Sequence, residues 1–347
     1  MTNQHPDPDK RPRRITLADV ASRVGTSTIT VSRALRTPDM VSEGLRQRID
    51  EAVQALGYVP DPAARALAMR RSNVIGVLIP SVTNNVFSDM LSGLYDGAAG
   101  TAYYIQFGNT RYRPETEEEL IRIFLGQRPA GLIVAGIDQT AASRALLERA
   151  GCPIVQVMET SGDPVDMGVG FSHRDAARAA TEHLLERGYR APAFIGARMD
   201  PRSERRRDGF RDALRAAGLD PKGHELTTTD PSNAALGGTL LDRLLETAPK
   251  TDAVFCNNDD LALGVQFAAQ RRGLAIGAEF GICGFNDFDV MSAAHPSITS
   301  VRTFRYEMGR LALEKLMAAI GGGDTGPSVV DLGYQLMPRA STMRAGS

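Results

Sequence analysis

Residues 15–35 read ITLADVASRVGTSTITVSRAL. Thr16 is placed to cap a helix, and Asp19 falls in its first turn, where an acid is favoured. Leu17, Val20, Ala21 and Val24 recur at i, i+3, i+4 and i+7 and make one apolar face. Gly25 ends that helix and supplies the backbone freedom of a tight turn. Ser27 caps a second helix whose Val31, Ala34 and Leu35 turn inward. Two short helices about a glycine turn have the outline of a helix-turn-helix. In that arrangement the second helix offers short polar side chains to base edges at its N-terminal end. Thr28, Ile29 and Thr30 are the outward candidates, with Arg33 one turn on. The helical pattern alone equally suits a three-helix scaffold or a dimerisation cap.

The reading extends outward on both sides. Pro38 and Asp39 break the second helix, and Ser42 opens a third with a buried stripe of Leu45, Ile49, Ala52, Val53 and Leu56. Gly57 and Pro60 close it. A helix-turn-helix domain over 15–60 is expected. Residues 1–14 are rich in proline and charge, which predicts a disordered tail. They hold no apolar stretch behind their basic residues, so no secretory signal is expected, and the cytoplasm is the expected compartment. Residues 1–72 carry twelve Lys and Arg against eight Asp and Glu, while the whole chain has a net charge of -1. A basic segment on a mildly acidic body points to a polyanionic partner for that segment. Pro62 behind Asp61 predicts a hinge helix over 61–72, too short to be stable unless packed.

From Asn73 the rhythm changes to short apolar runs alternating with amphipathic stretches. Strands are expected at 74–79, 103–107, 131–135, 154–158, 193–195, 253–256 and 281–284. Helices between them include 115–125, 174–186 and 260–272. Such alternation implies parallel sheets covered on both faces, and its length implies two doubly wound subdomains. The fold class is therefore α/β: an all-α helix-turn-helix domain and hinge helix, then two parallel-sheet subdomains over 73–345.

Several chemistries lack their residues. There is no phosphate-binding glycine loop, dinucleotide fingerprint or nucleophile elbow, and the five histidines are scattered. An enzyme is not expected. Cys152, Cys256 and Cys283 are isolated and without metal-ligand spacing, so buried free thiols are expected and no metal or other cofactor. No apolar run reaches the ~20 residues of a membrane helix.

The sequence resembles the lactose-repressor family. The resemblance is carried by Leu17-Ala-Asp-Val-Ala21, Val24-Gly25, Thr30-Val-Ser-Arg-Ala-Leu35, Val41-Ser42 and Leu56-Gly-Tyr-Val-Pro60. Thr26 stands where valine is more usual, and Asp61 where asparagine is frequent. The resemblance implies a homodimer on a pseudo-palindromic operator in double-stranded DNA. It implies contacts to that DNA from Thr16, Ser27, Thr28, Ile29 and Thr30, and from Ser32, Arg33 and Tyr58. Ala64 and Leu67 of paired hinge helices would enter the minor groove, Leu67 as a wedge.

Beyond the hinge the chain is similar to the periplasmic sugar-binding core of that family, through Ile75-Gly-Val-Leu-Ile-Pro80, Phe255-Cys-Asn-Asn-Asp-Asp260 and Gly284-Phe285 among others. This implies a ligand between two lobes, bound by Phe87, Arg202, Arg206, Asn258, Asp259, Asn286 and Asp287, with Asp289 also near. Asn or Asp after a strand is equally a helix cap, Asp259 above all. PSVTNNVF (80–87), VGFSHRDAARAA (169–180), FIGARMDPR (194–202) and FCNNDDLALG (255–264) are closest to gluconate-type repressors. They imply a sugar-acid effector, gluconate or a keto derivative, since an arginine fork suits a carboxylate. A neutral sugar, a corepressor role for the ligand, and a sugar-binding protein without DNA stay open as alternatives.

Overall fold

Thr16 caps the first helix of the chain, α1 (Leu17–Val24), in a reciprocal capping box with Asp19. The computed structural model describes residues 13–59, 72–160 and 162–344. Gly25 takes the left-handed conformation, φ 72°, that ends α1. Two residues on, Ser27 Oγ accepts from the Thr30 N–H and starts α2 (Thr28–Arg36). The third helix, α3 (Glu43–Leu56), crosses both, and Arg48 donates to the Val24 carbonyl at the open end of α1. Val20, Ala21, Val24, Val31, Ala34, Ile49 and Ala52 fill the small core between them. The expected hinge helix over 61–72, with Ala64 and Leu67, lies outside the described residues except for Ser72, as does the tail to residue 12.

A separate compact unit runs from Asn73. Its first lobe is a parallel sheet built on β1 (Val74–Ile79), β2 (Tyr104–Asn109), β3 (Gly131–Ala135), β4 (Ile154–Val157) and β5 (Met167–Gly170). The second lobe is built on β6 (Pro192–Gly196), β7 (Glu225–Thr227), β8 (Ala253–Cys256), β9 (Gly281–Asn286) and β10 (Thr299–Thr303). Late in the chain β11 (Val329–Asp331) returns to the first sheet, and β12 (Tyr334–Met337) joins the second, antiparallel to β10. The strand orders are β11-β5-β4-β3-β1-β2 and β12-β10-β9-β8-β6-β7. The central strands are buried on both faces, which is why they read as unbroken apolar runs.

The chain passes between lobes after β5, after β10 and between β11 and β12. One hydrophobic core consequently runs through both lobes, with Phe171 and Phe285 stacked 6.2 Å apart in it. Two helices meet there, α7 (His173–Glu186) and α8 (Pro201–Ala216), numbered after α4 (Val86–Ala98), α5 (Pro114–Gly126) and α6 (Ala141–Glu148). They touch backbone to backbone: a Cβ on Gly209 would lie 2.0 Å from the Arg174 carbonyl oxygen. That contact fixes α8, whose N-terminal turns carry arginines.

Five strands escape the apolar-run reading: β5, β7, β10, β11 and β12. They are three to five residues long, and β5 (MGVG) and β10 (TSVRT) are dominated by small or polar residues.

Candidate functional site

On the first unit, the N-terminal half of α2 is open. Thr28 and Arg33 are exposed, Ile29 is 69% exposed, and Thr30 and Ser32 are half-buried. Ser27 and Thr16 are exposed but occupied, Ser27 with Thr30 and Thr16 with Asp19. Tyr58 is turned inward against the three-helix core and is 9% exposed, so its ring packs and little of it is offered outward.

On the second unit, the loops after β1, β2, β6, β8 and β9 converge on a narrow cleft between the lobes. They leave the carboxyl ends of parallel strands, where ligands bind in sheets of this kind. The second lobe supplies the charge through α8. Asp200 caps that helix by accepting from the Ser203 N–H, and Pro201 opens it. The buried stripe of α8 runs Arg202, Ser203, Arg206, Gly209, Phe210, Ala213 and Leu214, so two arginines occupy what would ordinarily be apolar positions.

A buried charge is costly unless paired. Arg202 is paired: it donates to Asp200 Oδ2 from Nη2 at 2.7 Å and from Nε at 3.2 Å. Burial alone would raise the Asp200 carboxyl, but Arg202, the Ser203 N–H and Arg206 outweigh it and hold it at about 2. Arg206 is 7% exposed and, among the described residues, makes no ion pair with a carboxylate. It donates from Nε to His173 Nδ1 at 3.2 Å and from Nη1 to the Asn257 carbonyl, and it lies over the Phe285 ring at 3.9 Å. Burial pushes its guanidinium down to about 10. His173 is itself buried between Phe171 and Phe285. Burial, and then Arg206, hold it well below the ordinary histidine range, so it is neutral and accepts. The guanidiniums of Arg198, Arg202 and Arg206 face the cleft against the carboxylates of Asp200 and Asp260, which leaves an excess of positive charge.

Phe87, Asn258 and Asn286 also line the cleft. Phe87 is 1% exposed and serves the core as well, with Arg202 over its ring at 5.6 Å. Asn258 caps the helix α10 (Asp259–Arg271), which follows α9 (Ala234–Thr247), through its Oδ1 and the Leu261 N–H. Asn286 has φ 114°, and its Nδ2 is buried without a hydrogen-bond partner.

Three expected ligand contacts are corrected. Asp259 does not line the cleft and does not cap α10. It is fully buried, accepting from Ser300 Oγ at 2.6 Å and from the Phe288 N–H at 2.8 Å, and burial raises it to about 6. Asp287 is turned away into ion pairs with Arg302 at 2.8 Å and Arg339 at 2.7 Å. Asp289 is exposed at the start of α11 (Asp289–Ala293). Asp259 and Asp287 instead hold the loop after β9 that brings Asn286 and Phe288 to the cleft.

Sequence reasoning missed Tyr112, Arg198 and Asp200 as cleft residues. Asp200 is signalled by its capping position before Pro201. Tyr112 and Arg198 carry no signal of spacing. They meet across the cleft, Arg198 over the Tyr112 ring at 4.1 Å, and both have positive φ, 62° and 58°. Nearby, Arg205 of the second lobe clasps Asp138 of the first with bonds of 2.8 and 2.6 Å.

Beside that clasp Glu117 is half-buried, and burial raises its carboxyl to about 7 against a hydrogen bond from Gln139. A raised carboxyl favours the fold below its unfolded value of 4.5 and loses that contribution as pH rises through about 7. Glu117→Gln is therefore expected to stabilise the protein at pH 8 by about 1 kcal/mol, after solvent screening. The gain should disappear by pH 4.5, which paired thermal melts will read. An equal gain at both pH values would contradict the shift.

The comparisons with known proteins agree with both halves of this geometry. Residues 16–61 match the family described as bacterial regulatory proteins, lacI family, and 181–342 match the periplasmic binding protein-like domain. The HTH-type transcriptional regulator GntR of Pseudomonas aeruginosa is 42% identical over 329 residues, 95% of this chain and 96% of that protein. A LacI-family transcriptional regulator from Silicibacter pomeroyi superposes with a TM-score of 0.89 at 33% identity, covering 95% of this chain and 99% of that one. The lac repressor dimer bound to operator and the anti-inducer ONPF superposes with a TM-score of 0.83 at 25% identity, covering 95% and 100%.

Proposed function

This chain belongs to the lacI family of bacterial regulatory proteins, and from that premise we propose that it is a repressor whose operator affinity is set by a small sugar acid, gluconate or a keto-gluconate. The observation that carries the effector class is Arg206. A guanidinium that is 7% exposed, depressed by burial and without a carboxylate partner faces a cleft rimmed by amides and a phenol. A ligand carboxylate supplies the missing charge through a forked, charge-assisted pair. Asn286 Nδ2, left without a partner, suits a hydroxyl.

The protein acts in the cytoplasm as a homodimer on a pseudo-palindromic operator. Two copies of α2 enter successive major grooves, with residues 61–72 between them in the minor groove. Contacts come from Thr28, Ile29 and Arg33, with Thr16, Ser27, Thr30 and Ser32 at the helix starts and flank. Ala64 and Leu67 contact the minor groove. The ligand bridges the two lobes and shifts their relative disposition. Couplings of this kind amount to about 1–3 kcal/mol, or roughly 5–150-fold in operator affinity. It catalyses no reaction.

Isothermal titration tests the effector class. Gluconate or 2-ketogluconate is expected to bind at least about 100-fold more tightly than glucose, a difference of about 2.7 kcal/mol. Glucose binding as well as either acid, or no binding of any of the three, would sink the carboxylate reading.

A further inference from the structure

The cleft has a neighbour. A second pocket, partly open to solvent, lies beside it, lined among others by Thr110, Glu117, Gln139 and Thr140. The two cavities share Tyr112, Asp200 and Arg202 as a common wall. Within that wall Asp200 and Arg202 are locked to each other and to the start of α8. The Tyr112 ring is the part that comes from the other lobe.

Tyr112 is held from several sides. Its hydroxyl accepts from Asn84 Nδ2 at 3.0 Å, and Arg198 and Arg202 lie 4.1 and 5.9 Å from its ring centroid. Its φ of 58° is left-handed, a conformation that costs a side-chain-bearing residue energy and persists only where its surroundings hold it. The side pocket sets the Thr110 and Thr140 hydroxyls, the Glu117 carboxyl and the Gln139 amide on a lining that is otherwise largely apolar, which suits both the hydroxyls and the C–H face of a neutral sugar ring.

We propose that Tyr112 is a specificity-determining residue: its ring partitions the interlobe space and limits the effector to a single sugar-acid unit. Without the ring, the two chambers join into one that accommodates an aldobionic acid, a gluconate with a glycosyl group on its 4-hydroxyl. This rests on the sugar-acid reading of the cleft. Arg206 keeps the carboxylate in both cases, and the glycosyl unit occupies the side chamber next to Gln139 and Glu117.

The test uses the full chain, titrated with gluconate and with maltobionate. The wild type is expected to prefer gluconate by at least 100-fold. Tyr112→Gly, which suits the left-handed backbone, should narrow that preference below tenfold, chiefly by gaining affinity for maltobionate. Tyr112→Phe keeps the ring and loses the Asn84 bond, so it should discriminate like the wild type. If Tyr112→Gly still excludes maltobionate while binding gluconate, or if Tyr112→Phe loses discrimination as well, the partition is overturned and the sugar-acid reading stands. If the wild type binds neither acid, the reading of the cleft falls and takes this inference with it.

Discussion

Arg206→Ala is expected to lower sugar-acid affinity by at least about 100-fold and to abolish the operator response while operator affinity itself survives. Truncating one partner of a buried charge pair costs about 2–5 kcal/mol, because the other charge is left desolvated and alone. Here the charge left alone would be the ligand's carboxylate, because without Arg206 the cleft sets Arg198 and Arg202 against Asp200 and Asp260 and keeps no positive excess. Arg206→Lys should recover only part of the loss. A lysine presents a point charge where the fork is oriented by His173 Nδ1 and the Asn257 carbonyl. Stability should behave differently from affinity. Burial depresses Arg206 to about 10, so the charged guanidinium works against the ligand-free fold. Arg206→Met removes that burden but also the donors to His173 Nδ1 and the Asn257 carbonyl, so the ligand-free melting temperature should change little while the rise that gluconate produces in the wild type is erased. Titration calorimetry, melts with and without ligand, and operator binding by fluorescence anisotropy read these effects. An Arg206→Ala protein that still responds normally to ligand would remove the cleft assignment.

Ile29→Asp should abolish specific operator binding, with a loss above about 100-fold, and leave effector affinity untouched. Ile29 is 69% exposed on the open turn of α2, so the change does not reach the three-helix core and the melting temperature should not move. It replaces an apolar contact surface by a carboxylate that must approach the phosphates. Arg33→Ala, one turn on, should cost about tenfold. The salt dependence then assigns its role: a lost phosphate contact lowers the slope of log K against log salt by about one, whereas a lost base contact relaxes sequence preference at constant slope. Operator binding by Ile29→Asp at the wild-type level would show that α2 is not the reading helix.

The helix-turn-helix was legible because its determinants are local. Thr16 with Asp19, Gly25 with the Ala21 and Ser22 carbonyls, and Ser27 with Thr30 each act over four residues or fewer, and the apolar spacing decides which face is buried. The central strands were legible for a related reason. Burial on both faces demands continuous apolar residues, and 74–79, 131–135 and 253–256 supply them. Polar or glycine-rich strands such as β5 and β10 carry no such mark, because neighbouring strands and the crossing between lobes make them strands.

The cleft divides in the same way. Arg202 and Arg206 stand four apart, so the sequence determined that they can share one helix face, and packing of Phe210 and Leu214 on that face buries both. Asp200, two residues before Arg202, neutralises that arginine locally, whereas tertiary structure alone decided that, among the described residues, no carboxylate pairs with Arg206. It also turned Asp259 and Asp287 into internal anchors and carried Tyr112 and Arg198 together from opposite lobes. Spacing along a chain reports which residues share a face. Which charges meet depends on contacts between residues far apart in sequence, and those exist only once the two sheets are assembled around a common core.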